Sequence, residues 1–197
     1  MQPLEAIYKS IHPRIDAARQ AIAEDVAHFR AWPKNSKLNE VNLTFHVGRL
    51  LRDAGYHVYL EASLGGPEDS GKRKSIDALA LSRSGTEAII IESKYLMPGK
   101  FSSLNGDVIR MEPKQILDPR NVLTGVTHWY GLLLAHSWHK EMQMGWDEAH
   151  FKNQRQNKIT ELAAFLQHAK RGSGSLYIED GKPIYWMMWA LAELPNN

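Results

Sequence analysis

Four consecutive apolar residues, Ala88-Ile89-Ile90-Ile91, run directly into Glu92-Ser93-Lys94. An unbroken run of this kind, entered from the turn residues Ser82-Arg83-Ser84-Gly85, is the pattern of a strand buried on both faces in the middle of a sheet. A charged carboxylate at the end of so apolar a run is expensive unless it is paired or bound to a cation. The chain around this strand must therefore supply both a two-sided core and a partner for Glu92.

The 197 residues, 43% hydrophobic and 23% charged, are enough for one globular domain with an elaboration. Leu4, Ile7, Ile11, Ile15, Ala18 and Ile22 recur at helical spacing, which predicts a helix from Pro3 to Phe29 ended by Pro33. Ser36 is placed to cap a second helix through Leu43, Val47 and Leu51, stopped by Gly55. Strands are expected over Tyr56–Ala62, Ser75–Leu81 and Thr86–Ser93, followed by a broken segment, Leu96–Leu117, with a short helical piece. Asp118-Pro119 opens a segment through Val122, Val126, Trp129 and Leu134 whose spacing favours a helix, with a strand as the alternative because of Gly125, Thr127 and Gly131. Asp147–Lys170 forms a further helix, stopped by Gly172. Two closing strands, Ser175–Ile178 and Ile184–Leu191, flank the turn Asp180-Gly181-Lys182-Pro183. The expected fold is α/β, a central mixed sheet flanked by helices. A single domain is expected, with an N-terminal helix extension (1–35), a core (36–139) and a C-terminal helix and strands completing the sheet (140–197).

The chemistry-bearing residues gather around the buried strand. Glu92 and Lys94 project from one face, about 7 Å apart along the chain. The turn at Ser82–Gly85 lies midway between Asp77 and Glu92, so antiparallel pairing returns both carboxylates to the same end of the hairpin. An acid followed two residues later by lysine occurs three times in the chain, but Glu112-Pro113-Lys114 and Asp180-Gly181-Lys182 sit in a proline-broken segment and a turn. Only Glu92-Ser93-Lys94 is attached to a buried strand. Glu40, seven residues before Val47, falls on the inward stripe of the second helix, although a first-turn acid is also favoured by the helix dipole. A structural ion pair with Lys94 or Arg73 is the plainer use of Asp77 and Glu92.

A helix bearing Glu40, a strand, a strand opening with Asp77, a hairpin, a strand ending Ile91-Glu92-Ser93-Lys94 and a crossover helix together resemble the core of the PD-(D/E)XK nuclease superfamily, the restriction-endonuclease-like fold. The resemblance spans Ser36 to His139, with Ile76 where the family's naming proline stands. It implies that Asp77 and Glu92 bind a divalent metal beside Lys94, with Glu40 assisting. Hard oxygen donors and the complete absence of cysteine suit Mg2+ or Mn2+ better than zinc. The implied activity is phosphodiester hydrolysis by a nuclease acting on DNA. The alternative from another class is a nucleic-acid-binding or assembly module that keeps the fold without turnover.

A net charge of +2 is too balanced to announce a nucleic-acid binder, so any basic surface must be local. Lys72-Arg73-Lys74 and Lys100 are candidates for phosphate contact; Arg110 and the late trio Lys152, Arg155 and Lys158 are weaker ones. Solvated surface charge is the ordinary use of such residues. His136 and His139 share a face of the predicted helix but lack a visible third ligand. Glu61, at the end of the first strand, is a reserve candidate ligand, with an ordinary edge carboxylate as the alternative. Trp129, Trp138, Trp146, Trp186 and Trp189 are expected mainly in the core, with base stacking or a homodimer face as other uses. The N-terminus resembles neither a secretory signal nor a transit peptide and no stretch reaches membrane-spanning length, so a cytoplasmic protein without membrane association is expected.

Overall fold

The computed structural model describes residues 3–28, 40–63, 75–99, 101–113, 123–151 and 159–195. The described elements are α1 (Pro3–His28), α2 (Glu40–Asp53), β1 (His57–Ser63), β2 (Ser75–Leu81), β3 (Glu87–Tyr95), α3 (Phe101–Arg110), β4 (His128–Ser137), α4 (Lys140–Glu148), α5 (Thr160–His168), β5 (Lys170–Glu179) and β6 (Lys182–Leu194). They form an α/β fold around one open six-stranded sheet of order β1-β2-β3-β4-β6-β5. Only β3 and β4 pair in parallel; the other neighbours are antiparallel.

The buried run occupies the position its composition demands. Ala88 and Ile90 face a core built with Phe101 and Leu104 of α3, Trp146 of α4 and Leu162 of α5. Ile89 and Ile91 face the opposite core, against Ile11 and Ile15 of α1 and Leu43, Val47 and Leu51 of α2. Strand alternation then sends Glu92 and Lys94 toward α3 and Ser93 toward α2. The C-terminal strands complete the sheet through pairing of β6 with β4.

Two predicted helices are corrected. The segment expected to be helical from Asp118 to Leu134 contains β4 instead, where Trp129 to Ala135, apart from Gly131, are buried side chains between β3 and β6. When nearly every position is apolar, helical spacing is satisfied by accident, and a central strand gives the same pattern. Gly131 reports close packing there: a Cβ would lie 3.0 Å from Phe165 and 3.1 Å from the Met111 sulfur. The crossover between the parallel strands is carried by α3, earlier than expected.

The long helix expected over Asp147–Lys170 is likewise replaced by α4 and α5. Ala149 adopts a left-handed conformation at φ 53°, and the N–H groups of Ala149 and His150 bond to the carbonyls of Trp146 and Gly145, which terminates α4. Gly172 stops no helix; it lies in β5 opposite Trp189. Asp180 and Gly181, both at positive φ, form a two-residue hairpin turn; Lys182 and Pro183, expected in the turn, belong to β6. Ser36, Pro33 and Asp118-Pro119 lie outside the described residues. No described helix is long and apolar enough to cross a membrane.

Candidate active site

The ladder between β2 and β3 is regular as far as Ala78 opposite Ile91. Beyond it, Asp77 Oδ2 accepts the Ser93 N–H at 2.7 Å and lies 2.8 Å from the Ser93 hydroxyl. That hydroxyl also meets Thr44 Oγ1 at 2.8 Å and the Glu40 carbonyl at 3.0 Å. Serine has one proton to give. Thr44 therefore donates to Ser93, and Ser93 donates either to Asp77 or to the Glu40 carbonyl. Glu40 itself accepts the Tyr95 N–H through Oε1 at 2.9 Å and places Oε2 3.8 Å from Lys94 Nζ. The first turn of α2 is thereby fastened across the ends of β2 and β3.

On the face opposite the Ser93 side chain, Glu92 and Asp107 are each only 2% exposed, and Asp77 is near enough for its charge to act on Glu92. Arg110 Nη2 lies 3.4 Å from Glu92 Oε1 and also donates directly to Asp107 Oδ1. Asp107 Oδ2 sits 3.8 Å from Lys94 Nζ but accepts no hydrogen bond among the described residues. Burial pushes the Glu92 carboxyl up to about 8, reinforced by the charges of Asp77 and Asp107 and opposed by Arg110 and Lys94. Burial raises Asp107 in the same way, against the pull of Lys94 and Arg110.

Asp77, Glu92, Lys94 and Glu40 thus gather at one end of the sheet, as their positions in sequence led one to expect. Lys72, Arg73, Lys74, Lys100, Lys152, Arg155 and Lys158 lie outside the described residues. Glu61 is exposed with a left-handed φ of 51°. His136 is buried on β4 with Nδ1 2.6 Å from the Tyr185 hydroxyl, and His139 precedes α4, so the shared helical face does not exist. Trp129, Trp146, Trp186 and Trp189 are buried, and Trp138 stacks on Tyr185 at 4.0 Å.

Asp107 was not anticipated, although its signal is present: it occupies the stripe Phe101, Leu104, Asp107, Met111, where an acid among apolar residues announces burial with a partner. Arg52 and Arg83 were missed as well. They line an open groove of about 430 Å³ with Tyr56, His57 and Tyr59, at the end of β1 away from the carboxylates. Gly55, at φ 96°, leaves room for Arg83, whose Nε would be 3.1 Å from a Cβ there. Neither arginine has an acidic partner among the described residues.

Asp77 and Glu92 are oxygen donors of the kind that hold Mg2+. Glu92 is a buried carboxylate whose proton affinity is raised by neighbouring acids, a situation that a bound cation relieves. No group of three or more His, Cys, Asp or Glu residues capable of holding a metal is found among the described residues. Mg2+ does not require such a cage, because it is usually held by one or two carboxylates and retains waters. Comparison of the chain with protein-family models, with curated proteins and with solved structures returns no match. The functional reading therefore rests on this geometry.

Proposed function

We propose that the protein is a Mg2+- or Mn2+-dependent phosphodiester hydrolase of nuclease type, similar in its order of elements to the PD-(D/E)XK enzymes, with DNA as substrate. The observation that carries this reading is the gathering of Asp77, Glu92, Asp107 and Glu40 around Lys94 at one end of the sheet, with Glu92 and Asp107 each 2% exposed. Lys94, two residues on, supplies a cation held 3.8 Å from both Glu40 and Asp107. A purely structural role needs no such accumulation of acids around a carboxylate that burial already disfavours.

Asp77 and Glu92 would hold the cation. The chemistry such a cation would supply there is polarisation of the scissile phosphate and a lowered pKa of an attacking water. Ser93 orients Asp77 through two hydrogen-bonding groups, its N–H and its hydroxyl. Lys94 directs a proton of its ammonium group at the water or at the phosphoryl oxygens, offsetting charge as it develops. Glu40 and Asp107 flank that ammonium and hold it in place. Arg52 and Arg83, at the other end of β1, would give a polyanion longer than one phosphate a separate point of contact.

The test is cleavage of single- and double-stranded DNA and RNA with Mg2+ or Mn2+, by the wild type, Asp77→Ala and Lys94→Ala. Metal-dependent cleavage of DNA that falls by about 10²–10³-fold or more in each variant is expected. Absence of cleavage on every substrate, or full activity in both variants, overturns the enzyme. Binding to DNA without cleavage would favour the non-catalytic module.

A further inference from the structure

Arg110 holds two acids by contacts of unequal strength. It donates a hydrogen bond to Asp107, three residues earlier on the same helix, and reaches Glu92 Oε1 at 3.4 Å, beyond the usual range for a charge-assisted bond. Asp107 is buried yet retains Oδ2 without a hydrogen bond, and its charge is shared between Arg110 and Lys94. Arg110 is about one-third exposed, so its guanidinium lies where solvent or a substrate can reach it.

We propose that Arg110 and the divalent cation compete for Glu92, and that Asp107 anchors the displaced guanidinium so that it turns to a phosphate of the substrate. This rests on Asp77 and Glu92 being the cation's ligands. Glu92 cannot give the same oxygen fully to both positive groups, which also repel each other. The weaker Arg110–Glu92 contact yields first, while the bond to Asp107 keeps the guanidinium beside the site. Nη2 makes both contacts and keeps its bond to Asp107, while the N–H released from Glu92 and a neighbouring N–H of the planar fork match two phosphate oxygens in a way that an ammonium does not. Arg110 is thus a positioning residue for Glu92 before the cation binds and a substrate contact afterwards. By linkage, cation and substrate bind with positive coupling through this one side chain.

The experiment measures Mn2+ binding by titration calorimetry, together with the affinity of a non-cleavable phosphorothioate oligonucleotide with and without Mn2+. Arg110→Gln is expected to bind Mn2+ about 5- to 10-fold more tightly than the wild type. Arg110→Lys keeps the charge, but its shorter side chain stops short of the position that Nη2 holds between the two acids, so it too is expected to bind Mn2+ more tightly, by at least about 3-fold. A general field effect would leave the lysine variant at the wild-type value. Mn2+ should increase oligonucleotide affinity about tenfold in the wild type and hardly at all in Arg110→Gln. Wild-type Mn2+ affinity in Arg110→Lys, or an unchanged oligonucleotide gain in Arg110→Gln, overturns the competition alone. Failure of the wild type to bind Mn2+ overturns both the competition and the nuclease reading beneath it.

Discussion

Asp77 and Ser93 are joined twice across the ends of β2 and β3: the Ser93 N–H bonds to Asp77 Oδ2 at 2.7 Å, and the Ser93 hydroxyl lies 2.8 Å from the same oxygen. Ser93 also contacts Thr44 and the Glu40 carbonyl on α2, so one small side chain fixes the helix to the carboxylate. Ser93→Ala leaves the backbone bond intact but deprives Thr44 of its acceptor. We expect a loss of about 1–3 kcal/mol in denaturant unfolding, with activity reduced less than in Asp77→Ala. Unchanged stability in that variant would show that the hydroxyl does not bind the helix to the strands.

The pH dependence of stability follows from Glu92. Its ordinary value is 4.5, and in the folded protein it is pushed up to about 8. Between these values the folded chain holds a proton that the unfolded chain has lost. The corresponding stabilisation is fully present below about 4.5 and disappears as pH rises through about 8. Without divalent cations, wild-type stability should therefore fall across this window relative to Glu92→Gln, by at most about 1.4 kcal/mol per pH unit. Urea denaturation from pH 5 to 9 in chelator measures the difference. Parallel curves for the two proteins would refute the assignment.

The two arginines of the groove beside β1 should act on affinity and leave the chemical step unchanged. Replacing both Arg52 and Arg83 by Ala is expected to weaken DNA binding uniformly across sequences and to reduce the salt-dependence slope by about 2. Fluorescence anisotropy over a range of salt concentrations provides both numbers. A change in slope below the experimental error would leave the groove with no phosphate contact.

Gly172 of β5 lies beneath the indole of Trp189, and a Cβ would come within 2.6 Å of that ring. Gly172→Ala should destabilise the protein by about 1–3 kcal/mol, because a buried indole has little freedom to withdraw. The melting temperature reports this. An undiminished value would mean that the β5–β6 pair adjusts at no cost.

Much of the site was legible because its determinants are local. Strand alternation and the position of one hairpin turn suffice to bring Asp77, Glu92 and Lys94 to one end of the sheet. Asp107 was not legible in the same way: it reaches Glu92 only because α3 crosses from β3 to β4 and lays its inner stripe against the face that Glu92 shares. The same crossover explains the misread segment after Asp118. A strand between two others and a buried helix present the same apolar composition, and only the neighbouring strands decide between them.

The sequence alone determined the two-sided burial of Ala88-Ile89-Ile90-Ile91, the closing hairpins and the meeting of two acids with a lysine, since each follows from a period of two or from turn chemistry. The tertiary structure decided what surrounds that meeting. It placed Ser93 between Asp77 and α2, gave Arg110 to both Glu92 and Asp107, and buried Glu92 deeply enough to raise its proton affinity to about 8. Burial and the distance between charges from remote segments are properties of packing, and no local pattern of residues encodes them.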